Sequence, residues 1–290
     1  MFISRKGFDM PALMDVRPSP IAGRWYEGNP DRLARQIDSL LDKASIPPLS
    51  GEVIGLIAPH AGHRYSGLTA AHAFKTVKDH SYDLVIIVSP FHDLYPGSLI
   101  TTGHKAYSTP LGEVPVDGEA LENLDSDITK LTGSPLDRII RDGEHSLEIE
   151  LPFLQRSLQG PFSLLPVMVR SRNAGEMETL GESLAAIAAK KKTLLVASSD
   201  LSHFYPENQA DDLDAYLEKQ IEALSPSGVL DADITGKGYA CGAGAISAIL
   251  WAALCLKANR AILLHHSNSS AETGDHQSVV GYGSAVILKV

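Results

Sequence analysis

Leu84-Val85-Ile86-Ile87-Val88-Ser89-Pro90-Phe91-His92 is the stretch on which the fold turns. Five aliphatic residues follow one another without polar alternation. A strand of this kind is buried on both faces, as in a parallel sheet covered by helices. Two more runs have the same character, EVIGLIA at 52–58 and TLLVAS at 193–198. Asn29-Pro30-Asp31 opens an amphipathic helix with Leu33, Ile37, Leu40 and Leu41 on one face, and Pro47-Pro48 closes it. Further helices are predicted over 67–78, 144–158 (with Pro152 a kink or a break), 175–190, 208–224 and 242–257. Shorter strands are predicted over 98–102, 113–116, 162–169, 261–265 and 278–290, and an extended start through Pro11, Pro18 and Pro20. Strands alternating with helices predict the α/β class: a single αβα layered domain over 1–290, with a mostly parallel central sheet and antiparallel additions at an edge.

Ligands in such sheets bind beyond the carboxyl ends of the strands. The first aliphatic strand delivers His60, the second His92, and the third Asp200 and then His203. Only 11 of 290 residues are histidine, so one at each of three strand ends is a strong signal. Cys241 stands where the apolar helix begins, and a helix N-terminus favours a thiolate there. Two imidazoles and a thiolate suit a divalent metal, and a three-ligand site leaves positions open for substrate. If these donors serve one ion, their nitrogens and sulfur must lie within roughly 6 Å of one another.

The residues leave several roles open. Asp200 is a turn cap, a third ligand completing a 2-His-1-carboxylate set, or the carboxylate that orients His203 as an acid/base pair, the last being favoured. Asp142-Gly143-Glu144-His145-Ser146-Leu147-Glu148 opens the predicted helix, where acidic residues serve as caps; His145 is read as a pocket residue against a surface alternative. His63 is a weaker metal candidate. His265, His266 and His276 read as strand-edge or surface residues, and His72, His80 and His104 have no supporting context. Cys255 reads as an inert core thiol.

Composition narrows the function classes. The chain is 44% hydrophobic, 21% charged and 6% aromatic, which is globular. Its net charge of −10 (25 basic against 35 acidic residues) and the lack of any basic run longer than Arg170-Ser171-Arg172 or Lys190-Lys191-Lys192 argue against nucleic acid and anionic lipid. Residues 238–256 carry no charge over 19 positions but are rich in small residues, so a buried helix is expected rather than a membrane span. Gly7 to Pro11 interrupts any apolar stretch after Arg5 and Lys6, so no signal peptide is expected. Cys241 and Cys255 would sit roughly 21 Å apart along a helix, too far for a disulfide. Two free thiols point to a reducing, cytoplasmic setting. G-x-S-x-G, P-loop, complete G-x-G-x-x-G, C-x-x-C and H-E-x-x-H patterns are absent.

Six segments in order resemble the Memo family, including the bacterial and archaeal AmmeMemoRadiSam system protein B. They are Arg17-Pro18-Ser19-Pro20 with Ala22-Gly23-Arg24-Trp25-Tyr26; Ala58-Pro59-His60-Ala61-Gly62 with Tyr65 and Gly67; Ser89-Pro90-Phe91-His92; Asp142 to Glu148 with Leu151-Pro152; Ser198-Ser199-Asp200-Leu201-Ser202-His203; and Cys241-Gly242. The resemblance spans nearly the whole chain and implies a fold similar to the LigB-type, class III extradiol dioxygenases, which are non-haem Fe(II) enzymes. It implies His60, His92 and Cys241 as metal ligands, His203 as the acid/base histidine, and Asp200 and His145 in the same pocket. His63, Phe91 and Ser89 depart from the family's usual residues beside these ligands, which puts substrate selectivity and metal preference in question.

The resulting expectation is a non-haem, metal-dependent oxidoreductase or dioxygenase-like protein acting on a small organic substrate, with Fe(II) first and Cu or Zn next. The alternatives are an iron- or copper-binding redox protein without substrate turnover, a module binding a protein or peptide partner, and a zinc hydrolase.

Overall fold

The structure, a computed structural model, describes residues 13–290. The expectations for Arg5, Lys6 and Pro11 lie outside the described residues. The strands are β1 (Met14–Arg17), β2 (Glu52–Ala58), β3 (Leu84–Pro90), β4 (Leu99–Thr102), β5 (His104–Thr109), β6 (Gly112–Pro115), β7 (Asp137–Ile139), β8 (Ser163–Val169), β9 (Thr193–Ser198), β10 (His203–Tyr205), β11 (Arg260–Asn268) and β12 (Val279–Lys289). The helices are α1 (Pro30–Lys43), α2 (His63–Lys75), α3 (Gly118–Thr132), α4 (Leu151–Ser157), α5 (Ala174–Ala188), α6 (Glu207–Glu222), α7 (Pro226–Thr235), α8 (Ala243–Cys255) and α9 (Ser270–Thr273).

Nine strands form the main sheet in the order β10-β12-β2-β9-β3-β8-β4-β7, with β11 also on β12. Its centre, β2-β9-β3-β8, is parallel throughout. The long β12 adds antiparallel to β2, and β4 adds antiparallel to β8. A separate small sheet, β1-β5-β6, carries the start of the described chain. The parallel centre matters for function, because it brings the carboxyl ends of β2, β3, β8 and β9 to one edge.

Leu84 through Val88 are fully buried, as their unbroken aliphatic run requires. Each such side chain contributes about 1.5–3 kcal/mol of burial. Helix α8, backed by α5, packs on β2, β3, β8 and β9, whereas α2, backed by α1 and α4, packs on β2, β11 and β12. The sheet is thus covered by two separate helical groups. The uncharged stretch at 238–256 supplies α8, only 13 residues long and almost wholly buried, and among the described residues no helix is long and apolar enough to cross a membrane.

Four expectations change. No helix opens at Glu144: residues 142–147 are irregular, one tight turn covers Glu148–Glu150, and α4 begins at Leu151. Pro152 falls in the first helical turn, where its missing N–H costs nothing, so it is neither kink nor break. Helices α3 and α7 add to those predicted. Cys255, placed in the core by sequence, ends α8 and is exposed.

Candidate metal centre

His60 follows β2, His92 follows β3, and Cys241 lies two residues before the first turn of α8. Their donor atoms all lie within 4.8 Å of one another. His60 Nε2 is 3.1 Å from Cys241 Sγ. At ordinary bond lengths, N and S ligands of one tetrahedral ion stand about 3.6 Å apart, so the set closes on an ion with small adjustments. Gly242 is essential to this approach, since a Cβ there would run into Ser198 O and the Ser199 side chain at the end of β9. Its N–H also ties it to that strand end, donating to Ser199 Oγ at 2.9 Å.

Each imidazole has a partner that fixes its orientation. The Glu144 carboxylate accepts from His92 N at 2.6 Å and lies 3.0 Å from His92 Nδ1. That leaves Nε2 of His92 to face the centre. His60 Nδ1 lies 3.0 Å from Ser198 Oγ, which is itself 2.7 Å from Glu150 Oε1 and 2.6 Å from Ser146 O. A hydroxyl has one proton; given to Glu150 or Ser146, it leaves Ser198 to accept from His60 Nδ1–H. His60 Nε2 then presents its lone pair toward Cys241.

The surrounding carboxylates are buried. Glu144, Glu150 and Asp200 are 4%, 0% and 5% exposed, and Glu150 Oε2 has no hydrogen-bond partner among the described residues. Burial pushes the Glu150 carboxyl well up and brings Asp200 to about 7. Burial opposes charge on Glu144 too, but the hydrogen bonds from His92 outweigh it and hold Glu144 well below the usual carboxylate range. Burial likewise lowers His92, yet Glu144 raises it overall. The Cys241 thiol is pushed far up by burial and by Asp200. Burial therefore outweighs the helix-end effect expected from sequence. A cation here would relieve these strains together, since it favours thiolate, carboxylate and neutral imidazole.

The other predicted residues find definite places. His145 stacks between Trp25 and His92, with ring centroids at 4.0 and 4.8 Å, and meets His60 edge-on at 5.4 Å. Burial lowers its pKa to about 4. Asp200 does not orient His203. Its Oδ1 accepts from His60 N at 2.7 Å and Ala61 N at 3.2 Å, clamping the end of β2 to the end of β9. Nor does it join the ligand set, and its Oδ2 stands 4.0 Å from His60 Nε2. His203 Nδ1 donates instead to Leu201 O at 2.7 Å, leaving Nε2 unprotonated in the neutral ring. Burial lowers the His203 pKa, and His92 adds to the effect. The next residue, Phe204, has φ +65° and is 72% exposed, and the pairing of β10 with β12 shifts register there. Such a bulge re-aims its neighbours.

His63 points away, its Nε2 3.3 Å from Ile149 O. His265 and His266 lie on the edge strand β11, where His265 stacks on His72 at 4.2 Å and His266 pairs with Asp214 at 2.9 Å. His72 and His104 are buried, not idle. The sequence pattern marks neither Glu150 nor Ser198 as a site residue, and Glu144 only as a cap. Their signal was present: carboxylates at 144, 148 and 150 interleave with Leu147, Ile149 and Leu151, and all six residues are buried.

One ionic network holds this loop. Arg17 at the end of β1 is 3% exposed and bonds Asp142 at 2.6 Å, Glu148 at 2.6 Å and Glu144 O at 2.7 Å. Ser19 and Tyr26 also donate to Glu148.

Comparison with known proteins adds identity to this geometry. A family model described as Memo-like protein matches residues 17–286. A MEMO1 family protein of Methanosarcina barkeri is 32% identical over 274 residues, covering 94% of this chain and all of that one. Another, from Sulfolobus acidocaldarius, is 33% identical over 286 residues, covering 92% and 97%. The solved structure of an uncharacterized Escherichia coli K12 protein, JW3007, covers 80% of this chain and 99% of its own at 12% identity and a TM-score of 0.47. With the matched residues running from Arg17 of the ionic network to Val286 within the long strand β12, the chain belongs to the Memo family.

Proposed function

We propose that His60, His92 and Cys241 bind one divalent transition metal, iron foremost, and that the protein is a non-haem oxidoreductase of dioxygenase-like type acting on a small organic molecule. The convergence of three donors from three chain segments within 4.8 Å carries this reading. Imidazole and thiolate suit iron, copper and zinc, whereas an all-oxygen site would suit magnesium or calcium. A bound metal with three protein ligands supplies Lewis acidity and open positions for substrate.

The chain's own residues do the rest. Glu144 and the Ser198–Glu150 pair keep the Nδ1 protons on the two ligand imidazoles. His203, neutral with Nε2 free, would take a proton from a substrate hydroxyl. His145 and Trp25 wall one side with rings in tilted contact. A redox protein without turnover, binding iron or copper, is the second reading; the soft sulfur donor favours it.

Metal analysis of anaerobically purified protein tests the proposal, followed by oxygen uptake with catechol as a probe. About one iron per chain and oxygen consumption that depends on His203 are expected. Equal metal content in Cys241→Ala would overturn the site. Tight metal binding without any oxygen uptake would favour the second reading.

A further inference from the structure

A cleft of about 210 Å³ opens directly beside the candidate metal centre. Pro90, Phe91 and His92 line it from the end of β3, Arg170 and Arg172 from the end of β8, and Tyr239 and Cys241 from the approach to α8. The volume is below that of drug-sized pockets, so the occupant is small. Two guanidinium groups are unexpected on a chain with net charge −10.

The two arginines are not equivalent. Arg172 is paired with Asp233 of α7 and is largely neutralised. Arg170 donates to the backbone carbonyl of Tyr95 and has no carboxylate partner among the described residues. Its own backbone is fixed, with Arg170 N bonded to Ser98 O at 2.9 Å. The turn that follows is pinned by Asn173 N donating to Ser171 Oγ at 3.0 Å. Arg170, with no carboxylate partner among the described residues, therefore lines the same cleft as two candidate ligands.

We propose that this cleft receives a small organic carboxylate, with Arg170 holding the carboxylate and the rest of the molecule reaching toward His92 and Cys241. A guanidinium fork matches a carboxylate in shape, and one free positive charge matches one negative charge. A phosphate group, nearer −2, would call for a second free cation, which the Arg172–Asp233 pair does not provide. The overall acidity of the chain makes Arg170 stand out as a local attractor. This inference rests on the metal-centre reading for the orientation of the substrate, but not for the carboxylate contact itself.

The test is calorimetric titration of the full chain, with and without Co(II), using benzoate, benzamide and inorganic phosphate as probes. Absorption by thiolate-bound Co(II) reports separately on the metal reading. Benzoate is expected to bind at least about tenfold more tightly than benzamide or phosphate. Arg170→Gln should lose at least about tenfold in benzoate affinity, and Arg170→Lys should fall between Gln and wild type. Circular dichroism of both variants checks that they fold. Benzoate and benzamide binding equally, no binding of benzoate, or Arg170→Gln leaving benzoate affinity unchanged would overturn the proposal. Tighter binding of phosphate would replace the carboxylate by a phosphate. Failure of Co(II) to give a thiolate band would sink the metal reading while leaving the carboxylate result to stand on the metal-free titrations.

Discussion

Glu144 grips His92 at two points, accepting from its backbone N–H at 2.6 Å and facing its ring Nδ1 at 3.0 Å. The same carboxylate also accepts from His145 N and Ser146 N, both at 2.9 Å. One side chain thus sets the rotamer of a candidate ligand and the path of the loop opposite it. Carboxylates that orient metal-bound imidazoles are usually worth 10–100-fold in metal affinity.

Glu144→Gln is therefore expected to weaken metal binding by about 10–100-fold, measured by competition against a chelator of known affinity. An amide cannot accept at both ends, so one buried N–H loses its partner. A stability loss of about 1–3 kcal/mol in urea titration should accompany the effect. Unchanged metal affinity in a folded Glu144→Gln protein would count against His92 as a ligand.

The two cysteines offer an internal control. Cys241 sits 3.1 Å from His60 Nε2, whereas Cys255 is exposed at the far end of α8. Cys241→Ser should lower metal affinity by more than about 100-fold, beyond the range of an orienting residue, and abolish the thiolate charge-transfer band of the Cu(II) or Co(II) form. Cys255→Ser should change neither. A band that survives Cys241→Ser and vanishes with Cys255→Ser would place the metal elsewhere.

Arg17 neutralises Asp142 and Glu148, whose side chains are 2% and 1% exposed. Removing the cation leaves buried carboxylates without compensation. Arg17→Met is expected to cost about 3–5 kcal/mol of stability by urea denaturation. Adding Glu148→Gln should recover part of that loss, because one stranded charge disappears. If the double variant is no more stable than Arg17→Met, the pair is not coupled as its geometry implies.

The layered fold and the convergence of His60, His92 and Cys241 were legible because both follow from local rules. Unbroken aliphatic runs mark buried parallel strands, and parallel strands bring their carboxyl ends to one edge. The roles of Asp200 and Glu144 were not legible. Asp200 clamps His60 and Ala61 across 140 and 139 positions of sequence, and Glu144 reaches back 52 to His92. No periodicity encodes such pairings. The helix predicted from Glu144 fails for the same reason. Its carboxylate takes the N–H groups of His145 and Ser146, and Arg17 takes the Glu144 carbonyl, so tertiary bonds replace helical ones. Helix α3 differs: Asp117 caps it, Gly133 ends it, and Ala120, Leu121, Leu124 and Ile128 form its buried stripe, a signal that local pattern does carry.

A pH dependence of folding arises away from the candidate metal centre, on α6. Burial pushes Glu218 up to about 7, with Asp214, Glu222 and Asp211 adding to the shift and His266 opposing it. One of its oxygens, Oε1, is buried without a partner among the described residues. A carboxyl whose folded pKa is raised binds its proton more tightly folded than unfolded. Its contribution is fully present below the unfolded value, near 4.5, and is lost as pH rises through about 7. Glu207 is held down to about 2 by Asn268, Ser270 and His276, so its own window lies below 4.5 and does not overlap. Wild type should thus lose on the order of 2 kcal/mol between pH 4.5 and 7.5 through Glu218. Glu218→Gln, which stays neutral throughout, should flatten that decline. Urea titrations of both proteins at pH 5 and pH 7.5 measure it, and parallel declines would show that Glu218 ionises in the folded state without cost.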